Sequence, residues 1–290
     1  MKRNPEFSVG AEDTLLAFLL KCFHNKSRNY AKGVLKRGQV SIDGKVCTDY
    51  ARKLRVGQTV KISMDKAVPK DMKIPVLYED DELIVINKPA GMLAISTDKE
   101  KENTAYHIVT DYIKAKAKHE RVFIVHRLDR ETSGIMLFAK NEKMKRALQD
   151  NWDDLAIRRG YSALVEGVVL KKDGRISSWL KQTKTLLTYS SQQKGDGKLA
   201  ITDFHTVVTS ADYSLLDISL QTGRKNQIRV HLSDMGHPIA GDKKYGAKTD
   251  PIGRLGLHAS ELIIKHPFSG EQLRFESKLD ILKKPLLDTL

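Results

Sequence analysis

The run Val122-Phe123-Ile124-Val125-His126-Arg127-Leu128-Asp129-Arg130-Glu131-Thr132-Ser133-Gly134-Ile135-Met136-Leu137-Phe138-Ala139 decides how this chain reads. Both of its ends are apolar and rich in β-branched and aromatic residues, while the middle, His126 to Gly134, is polar and closes on glycine. Short apolar runs bounded by turn residues predict strands, so the middle is predicted to be a loop between two buried elements. Loops on rigid scaffolds are where binding and catalytic groups sit. This one carries Asp129 between Arg127 and Arg130, and nearby cations favour an ionised carboxylate. An aspartate in such a loop also serves as a turn residue held by a neighbouring arginine, and composition alone favours that plainer role.

Outward from this run, residues 76 to 290 read as one domain. Val76-Leu77-Tyr78, Leu83 to Ile86, Tyr161 to Val165, Thr206 to Val208 and Leu215 to Ile218 are further short strand-like runs. Helical patterns interrupt them at about residues 103–117, 141–154 and 225–235. Many strands with few helices predict an α+β fold built on a large mixed or antiparallel sheet.

Towards the N-terminus, Leu15, Leu16, Leu19, Leu20 and Phe23 recur at spacings of three and four, predicting an amphipathic helix between Ala11 and Asn25. A second helix is predicted from Ser27, which can cap it, to Gly38, which stops it. Val40 and Ile42 alternate with polar neighbours, Asp43-Gly44 offers a two-residue hairpin turn, and Val56 to Ile62 reads as another strand. Residues 66–75, polar with two prolines, read as a linker, leaving residues 1–65 as a small separate α+β domain.

Charge follows this division. The chain has 50 Lys/Arg against 36 Asp/Glu, a formal +14, and residues 1–75 alone hold 16 against 7. Such a surplus favours a polyanionic partner, chiefly nucleic acid. Arg28, Lys32, Lys36 and Arg37, on and after the second predicted helix, could track a phosphate backbone. No stretch approaches the ~20 apolar residues of a membrane-spanning helix, so no membrane association is predicted and a cytoplasmic location is expected. Cys22 and Cys47 are the only cysteines, and the nine histidines show no ligand spacing, so no metal site is predicted.

Two resemblances then enter. Residues 11–64, through Ser27-Arg28, Gly38-Gln39-Val40, Ile42-Asp43-Gly44 and Val56-Gly57-Gln58-Thr59-Val60, resemble the S4 RNA-binding module. The string His126-Arg127-Leu128-Asp129-Arg130-x-Thr132-Ser133-Gly134, closing with Ala139-Lys140, resembles the signature of the RluA-type pseudouridine synthases. Ile84-Val85-Ile86-Asn87-Lys88-Pro89-Ala90-Gly91, Thr222 to His231, Pro238-Ile239-x-Gly241-Asp242 and Tyr245-Gly246 extend the likeness over roughly residues 76–276.

The resemblance implies a catalytic domain of pseudouridine synthase type behind an S4-like domain. It further implies an enzyme that isomerises uridine to pseudouridine in structured RNA, ribosomal or transfer, without metal or nucleotide cofactor and as a monomer. It implies Asp129 as the catalytic carboxylate, Arg229 as the cation that pairs with it, and Tyr161 as a ring that stacks on the target base. A phenol with a pKa near ~10 is a poor base at neutral pH, so stacking is the better reading of Tyr161. Chemistry on a base in folded RNA needs the nucleotide extruded, and Arg127 is the implied gap-filler, with Arg130, Thr132 and Ile228 as further substrate contacts. Two positions depart from the family: Asn226 stands where His is usual, and Arg159 where Lys is usual. Asn cannot titrate, and Arg159 keeps the cation with a different geometry.

Rival readings are a non-catalytic RNA-binding protein, which would tolerate loss of Asp129, and a phosphoryl-transfer enzyme. The second fails because Leu128 intervenes before the aspartate and no Gly-rich phosphate loop is present.

Overall fold

The computed structural model describes residues 5–23, 27–36, 38–63, 72, 74–98, 100–116, 119–282 and 286. The chain forms two compact units, Met1–Asp71 with Ala115–Lys118, and Met72–Lys114 with His119–Leu290. No helix among the described residues is long and apolar enough to cross a membrane.

The first unit runs β1 (Glu6–Ser8), β2 (Asp13–Thr14), α1 (Leu15–Cys22), α2 (Arg28–Lys36), β3 (Val40–Ile42), β4 (Lys45–Val46), β5 (Lys53–Leu54) and β6 (Thr59–Ile62). Helix α1 is shorter than its periodicity predicts. Asp13 and Thr14 pair with Leu54 and Lys53 instead, and the Thr14 hydroxyl caps the helix by accepting the Ala17 N–H at 3.4 Å, satisfying one of the donors that a helix start leaves open. Ser27 caps α2 in the same way, accepting from the Tyr30 N–H at 3.2 Å. The β3–β4 turn holds Asp43 at φ 49° and Gly44 at φ 80°, the double left-handed geometry for which Asp-Gly is suited. Leu15, Leu19, Val34, Leu35, Val40, Val60 and Ile62 close a core of their own.

The second unit contains β7 (Val76–Glu79), β8 (Leu83–Lys88), α3 (Ala105–Lys116), β9 (Phe123–Ile124), β10 (Ser133–Ala139), α4 (Glu142–Asp150), α5 (Trp152–Leu155) and β11 (Ala156–Glu166). It continues with β12 (Asp173–Gln182), β13 (Thr188–Ser191), β14 (Lys198–Thr209), β15 (Tyr213–Leu220), α6 (Gln227–Asp234), β16 (Leu257–Lys265) and β17 (Gln272–Glu276). The described strands form a mixed sheet of order β13-β12-β14-β15-β11-β16-β10-β8-β7, with β17 on β16 and β9 on β10. The unit is thus α+β with a largely antiparallel sheet, and β10 and β16 make its parallel pair.

The pleat explains how the sheet is covered. Every residue of β10 is buried, and successive side chains point to opposite faces. Met136 and Phe138 join Ile84 and Ile86 under Ala105, Val109 and Ile113 of α3. Ile135, Leu137 and Ala139 join Leu83 and Val85 under Met144 and Leu148 of α4. Helix α6 covers β11, β14 and β15 through Ile228 and Leu232, which pack on Ala163, Val165, Phe204, Leu216 and Ile218.

Strands β12, β13, β16 and β17 are not predicted from the sequence. Along β12 exposed and buried positions alternate with many polar residues. Strand β16 breaks its own alternation with a register shift opposite Gly160/Tyr161, so a period-two pattern is absent where the sheet needs it most.

Candidate active site

The motif run is a strand, a loop and a strand, as its sequence predicts, except that β10 already begins at Ser133. Gly134 has to be glycine. It sits at φ +112°, and a Cβ there would lie 2.2 Å from the Ala259 carbonyl oxygen on the parallel neighbour β16. Just before it, the Ser133 hydroxyl accepts from Arg254 Nη2 at 2.7 Å and meets His258 Nδ1 at 2.7 Å. The His258 Nε2 reaches the Ser277 carbonyl at 3.1 Å. Burial pushes His258 down to about 4, so the ring is neutral and its Nε2–H is the donor to Ser277.

Within the loop the side chains diverge in a way that spacing does not reveal. His126 turns in, accepting the Leu137 N–H at 3.0 Å and stacking on Trp152 at 4.9 Å between ring centres. Burial, with Arg159 nearby, pushes its pKa down to about 4, so His126 is a neutral support. Leu128 is buried in the core beneath α3. The loop backbone is tied from below by Lys88, a fully buried lysine whose ammonium donates to the carbonyls of Met92 (2.8 Å), Pro89 (3.0 Å) and Arg130 (3.1 Å). Desolvation pushes Lys88 down to about 8. The motif around Lys88 assigns it no role from sequence; its local signal is a lysine closing an apolar run just before Pro89-Ala90-Gly91.

A cavity of about 350 Å³ opens over this loop. Asp129, Tyr161, Arg229, Arg127, Thr132 and Ile228 all line it, together with Leu128, Leu220, Gly223–Gln227 and Leu257. Asp129 is the one carboxylate among these lining residues. Its backbone carbonyl accepts the Thr132 N–H at 3.2 Å, whereas its carboxylate has no hydrogen-bond or ion-pair partner among the described residues.

Arg130 is a correction. Expected as a substrate contact and as a cation for Asp129, it lies outside the cavity lining and pairs through Nη2 with Glu100 Oε2 at 3.0 Å. Asp129 opens the turn that the Thr132 N–H closes, and Arg130, inside that turn, reaches Glu100 rather than the cavity. Arg127 is exposed and lines the cavity.

The expected direct pair of Arg229 with Asp129 is a second correction. Arg229 forms a bidentate pair with Asp242, Nε to Oδ2 at 2.7 Å and Nη2 to Oδ1 at 2.6 Å, while Nη1 donates to Asn226 Oδ1 at 3.2 Å. The guanidinium also stands 4.8 Å from the Tyr245 ring centre. Burial opposes its charge, but the bonds and charge of Asp242, and then the charge of Asp129, outweigh it and raise the pKa. Asp129 therefore reaches Arg229 only through space, without a bond between them. Asn226 starts α6 at φ 54°, a left-handed conformation that asparagine tolerates, and donates from Nδ2 to the Tyr245 hydroxyl at 3.1 Å.

Tyr161, on β11, packs against the clusters beneath α3 and α6. Desolvation pushes its hydroxyl up to about 12, with Arg159 opposing and Asp129 adding to the rise. Such a phenol is neutral and a still weaker base than free tyrosine.

In the first unit Arg28 and Lys32 are exposed on α2, with the Lys32 ammonium 5.3 Å from the Tyr50 ring centre. Lys36 ends α2, though its side chain is not among those described, and Arg37 lies outside the described residues. Among the described residues no group of three or more His, Cys, Asp or Glu is placed to hold a metal ion.

A mixed sheet carrying a cavity with a lone carboxylate, an aromatic ring and arginines, in a chain with a small basic helical unit, defines an enzyme of RNA. The chain belongs to the RNA pseudouridylate synthase family, whose model matches residues 82–234, and the S4 domain model matches residues 13–60. These are isomerases acting on RNA. An RNA pseudouridine synthase of Aquifex aeolicus (strain VF5), itself uncharacterised, is 33% identical over 93% of this chain and 92% of its own length. The ribosomal large subunit pseudouridine synthase D of Neisseria meningitidis serogroup A is 31% identical, covering 94% of this chain and 77% of that protein. In fold, the human RNA pseudouridylate synthase domain containing 4 superposes with a TM-score of 0.61 at 23% identity, covering 73% of this chain and 93% of that one.

Proposed function

We propose that the protein isomerises specific uridines of structured RNA to pseudouridine, with Asp129 as the catalytic carboxylate and without metal or nucleotide cofactor. The observation that carries this reading is the Asp129 carboxylate, unpartnered among the described residues and open to the cavity. Isomerisation breaks the N1–C1′ bond, forms a C5–C1′ bond, removes the proton on C5 and returns one to N1, with no net gain or loss of atoms. One carboxylate serves such a reaction, as nucleophile or as base towards the sugar. A hydrolase that must also activate water uses two, and the lining residues hold one.

Arg229, fixed by Asp242, presents a preorganised positive charge to the cavity that Asp129 also lines. Tyr161 and Ile228 sandwich or support the uracil ring, and Thr132 holds the turn that aims Asp129. Arg127, without a side-chain partner among the described residues and exposed at the cavity, is suited to fill the stack that the extruded uridine leaves. The residues expected to bind RNA, Arg28 and Lys32 with Lys36 and Arg37, belong to an RNA-binding domain of residues 1–65, joined by a linker of residues 66–75 to a catalytic domain of residues 76–290.

Ribosomal RNA is the favoured substrate, because a relative aligned over most of this chain is named for the large ribosomal subunit; transfer RNA is the alternative. The enzyme is expected to work as a monomer in the cytoplasm. The test is to incubate the purified protein, free of metal and nucleotide, with RNA from cells lacking the gene and to map pseudouridine. New pseudouridine at one or a few uridines of large-subunit RNA is the expected result. Sites confined to transfer RNA overturn the ribosomal assignment, and no product in any RNA overturns the activity.

A further inference from the structure

A second cavity, of about 320 Å³, adjoins the first, and the proposed chemistry makes no use of it. Arg127, Tyr161, Leu220, Gly223 and Arg224 line both, so the two are separated by little more than these shared side chains. Asp129, Thr132 and Arg229 line only the first. The two volumes are nearly equal. Two like-sized chambers sharing a wall suit two successive residues of one polymer better than they suit one larger ligand.

The chemistry of the second chamber is that of a nucleobase site. Trp152 lines it, held in place by the stack on His126 at 4.9 Å and 19°. Because His126 is held neutral, that side of the chamber is aromatic rather than cationic. Arg159 lines it as well, its side chain 11% exposed, with Nη2 donating to the Gln221 carbonyl at 2.7 Å and Nη1 at 3.6 Å from Asp153 Oδ1. Glu261 adds little acceptor capacity, since its two oxygens are taken by Arg158 and Arg274. Aromatic rings with arginine donors are the combination that binds bases by stacking and by hydrogen bonds to their acceptors. A planar guanidinium fork recognises base edges in a way that an ammonium does not.

We propose that this chamber binds the base of the nucleotide next to the target uridine, with Trp152 as its stacking wall and Arg159 as its polar contact. The inference rests on the first cavity being the uridine site. It makes selection of the target depend on a neighbouring base that is itself drawn out of the RNA stack.

Trp152 and Trp179 are the two tryptophans of the chain, so the variant Trp179→Phe leaves Trp152 as the sole tryptophan reporter. Its emission is titrated with UMP and with the dinucleotides UpA, UpG, ApU and GpU. UMP, which fills the first cavity, is expected to leave the emission nearly unchanged. At least one dinucleotide order is expected to quench it and to bind about tenfold more tightly than UMP, the gain that one stacked base brings. Adding Arg159→Lys is expected to weaken that dinucleotide about tenfold and to leave UMP affinity unchanged.

Quenching by UMP as strong as by the dinucleotides, or no quenching by any dinucleotide, overturns the pocket. Equal dinucleotide affinity with Lys at position 159 overturns the role of Arg159. The readout requires no turnover. Dinucleotide-specific quenching in a protein that forms no pseudouridine therefore upholds the pocket while removing the catalytic reading of Asp129.

Discussion

The reaction cavity has two unlike walls. On the α6 side most polar groups are tied, Lys225 apart: Arg229 to Asp242 and Asn226, Asn226 to Tyr245, and, behind the lining, His231 to Thr202 and Ser178. Gln227 accepts from the Thr222 hydroxyl and the Arg224 N–H and donates to Ile201 and Thr202. On the motif-loop side Asp129 and Arg127 have no side-chain partner among the described residues, although Lys88 and the Thr132 turn pin the backbone beneath them. A fixed wall sets a field and a shape in advance, and a free group on an anchored loop is reserved for what enters. The division separates residues whose loss should cost stability from those whose loss should cost only chemistry.

Asp129→Asn is the strongest attempt to break that division. It removes a carboxylate that no described protein group bonds and keeps the volume. Pseudouridine formation is expected to fall to the uncatalysed background, while the urea midpoint stays within the ±0.5 kcal/mol or so typical of a site without a structural role. A large loss of stability would place Asp129 among the tied groups.

Asp242→Ala attacks the opposite wall. It leaves the buried Arg229 guanidinium without its bidentate partner, and breaking a buried pair from one side costs roughly 3–5 kcal/mol. A urea midpoint unchanged from the parent would mean that Arg229 is free to find another partner, and the contrast between the walls would fall with it.

What the sequence could convey follows the same line. The strand–loop–strand around Asp129, the α2 cap at Ser27 and the Asp43-Gly44 turn are local events, written in neighbouring residues, and all three are present in the structure. The membership of the cavity was legible through motif strings, which brought Asp129, Tyr161 and Arg229 to one place. The partnerships were not. Arg229 and Asp242 are brought together by the chain that runs on past α6, and nothing in Gln227-Ile228-Arg229 announces that the fork is already filled. Arg130 likewise turns to Glu100, thirty residues away in sequence, a partner that no local pattern announces. Strand β12 went unread because its alternating positions carry many polar residues, and β16 because a register shift breaks its period of two.

Acid should loosen the tied wall and its supports. His231 and His258 are fully buried, and burial lowers both to about 4, below the 6.5 of a free imidazole. Between those values the unfolded chain takes up protons that the folded one refuses, so stability is full above pH 6.5 and is lost as pH falls towards 4. Each group contributes up to about 3 kcal/mol of that change. Urea midpoints measured from pH 7 to pH 4.5 should fall steadily, and a flat profile would mean that these rings open to water or carry charge in the native state.

The smallest expected effect lies on the first unit, where nothing resembles the tied wall. Arg28 and Lys32 stand exposed on α2, and among the described residues the Tyr50 ring lies 5.3 Å from the Lys32 ammonium, a contact worth only about 0.5–1 kcal/mol at an exposed site. Removing both cations with Arg28→Ala and Lys32→Ala should leave the urea midpoint nearly where it was. If they meet phosphates, each loss makes the slope of log affinity against log salt shallower by about 1, and RNA binding weakens most at low salt. Filter-binding titrations across a salt series separate this from a role in selecting the uridine, because a phosphate contact weakens all RNA alike while the set of modified sites stays the same. A slope unchanged in the double variant would mean that these cations are simply solvated, and the basic surplus of the first 75 residues would have to act through other side chains.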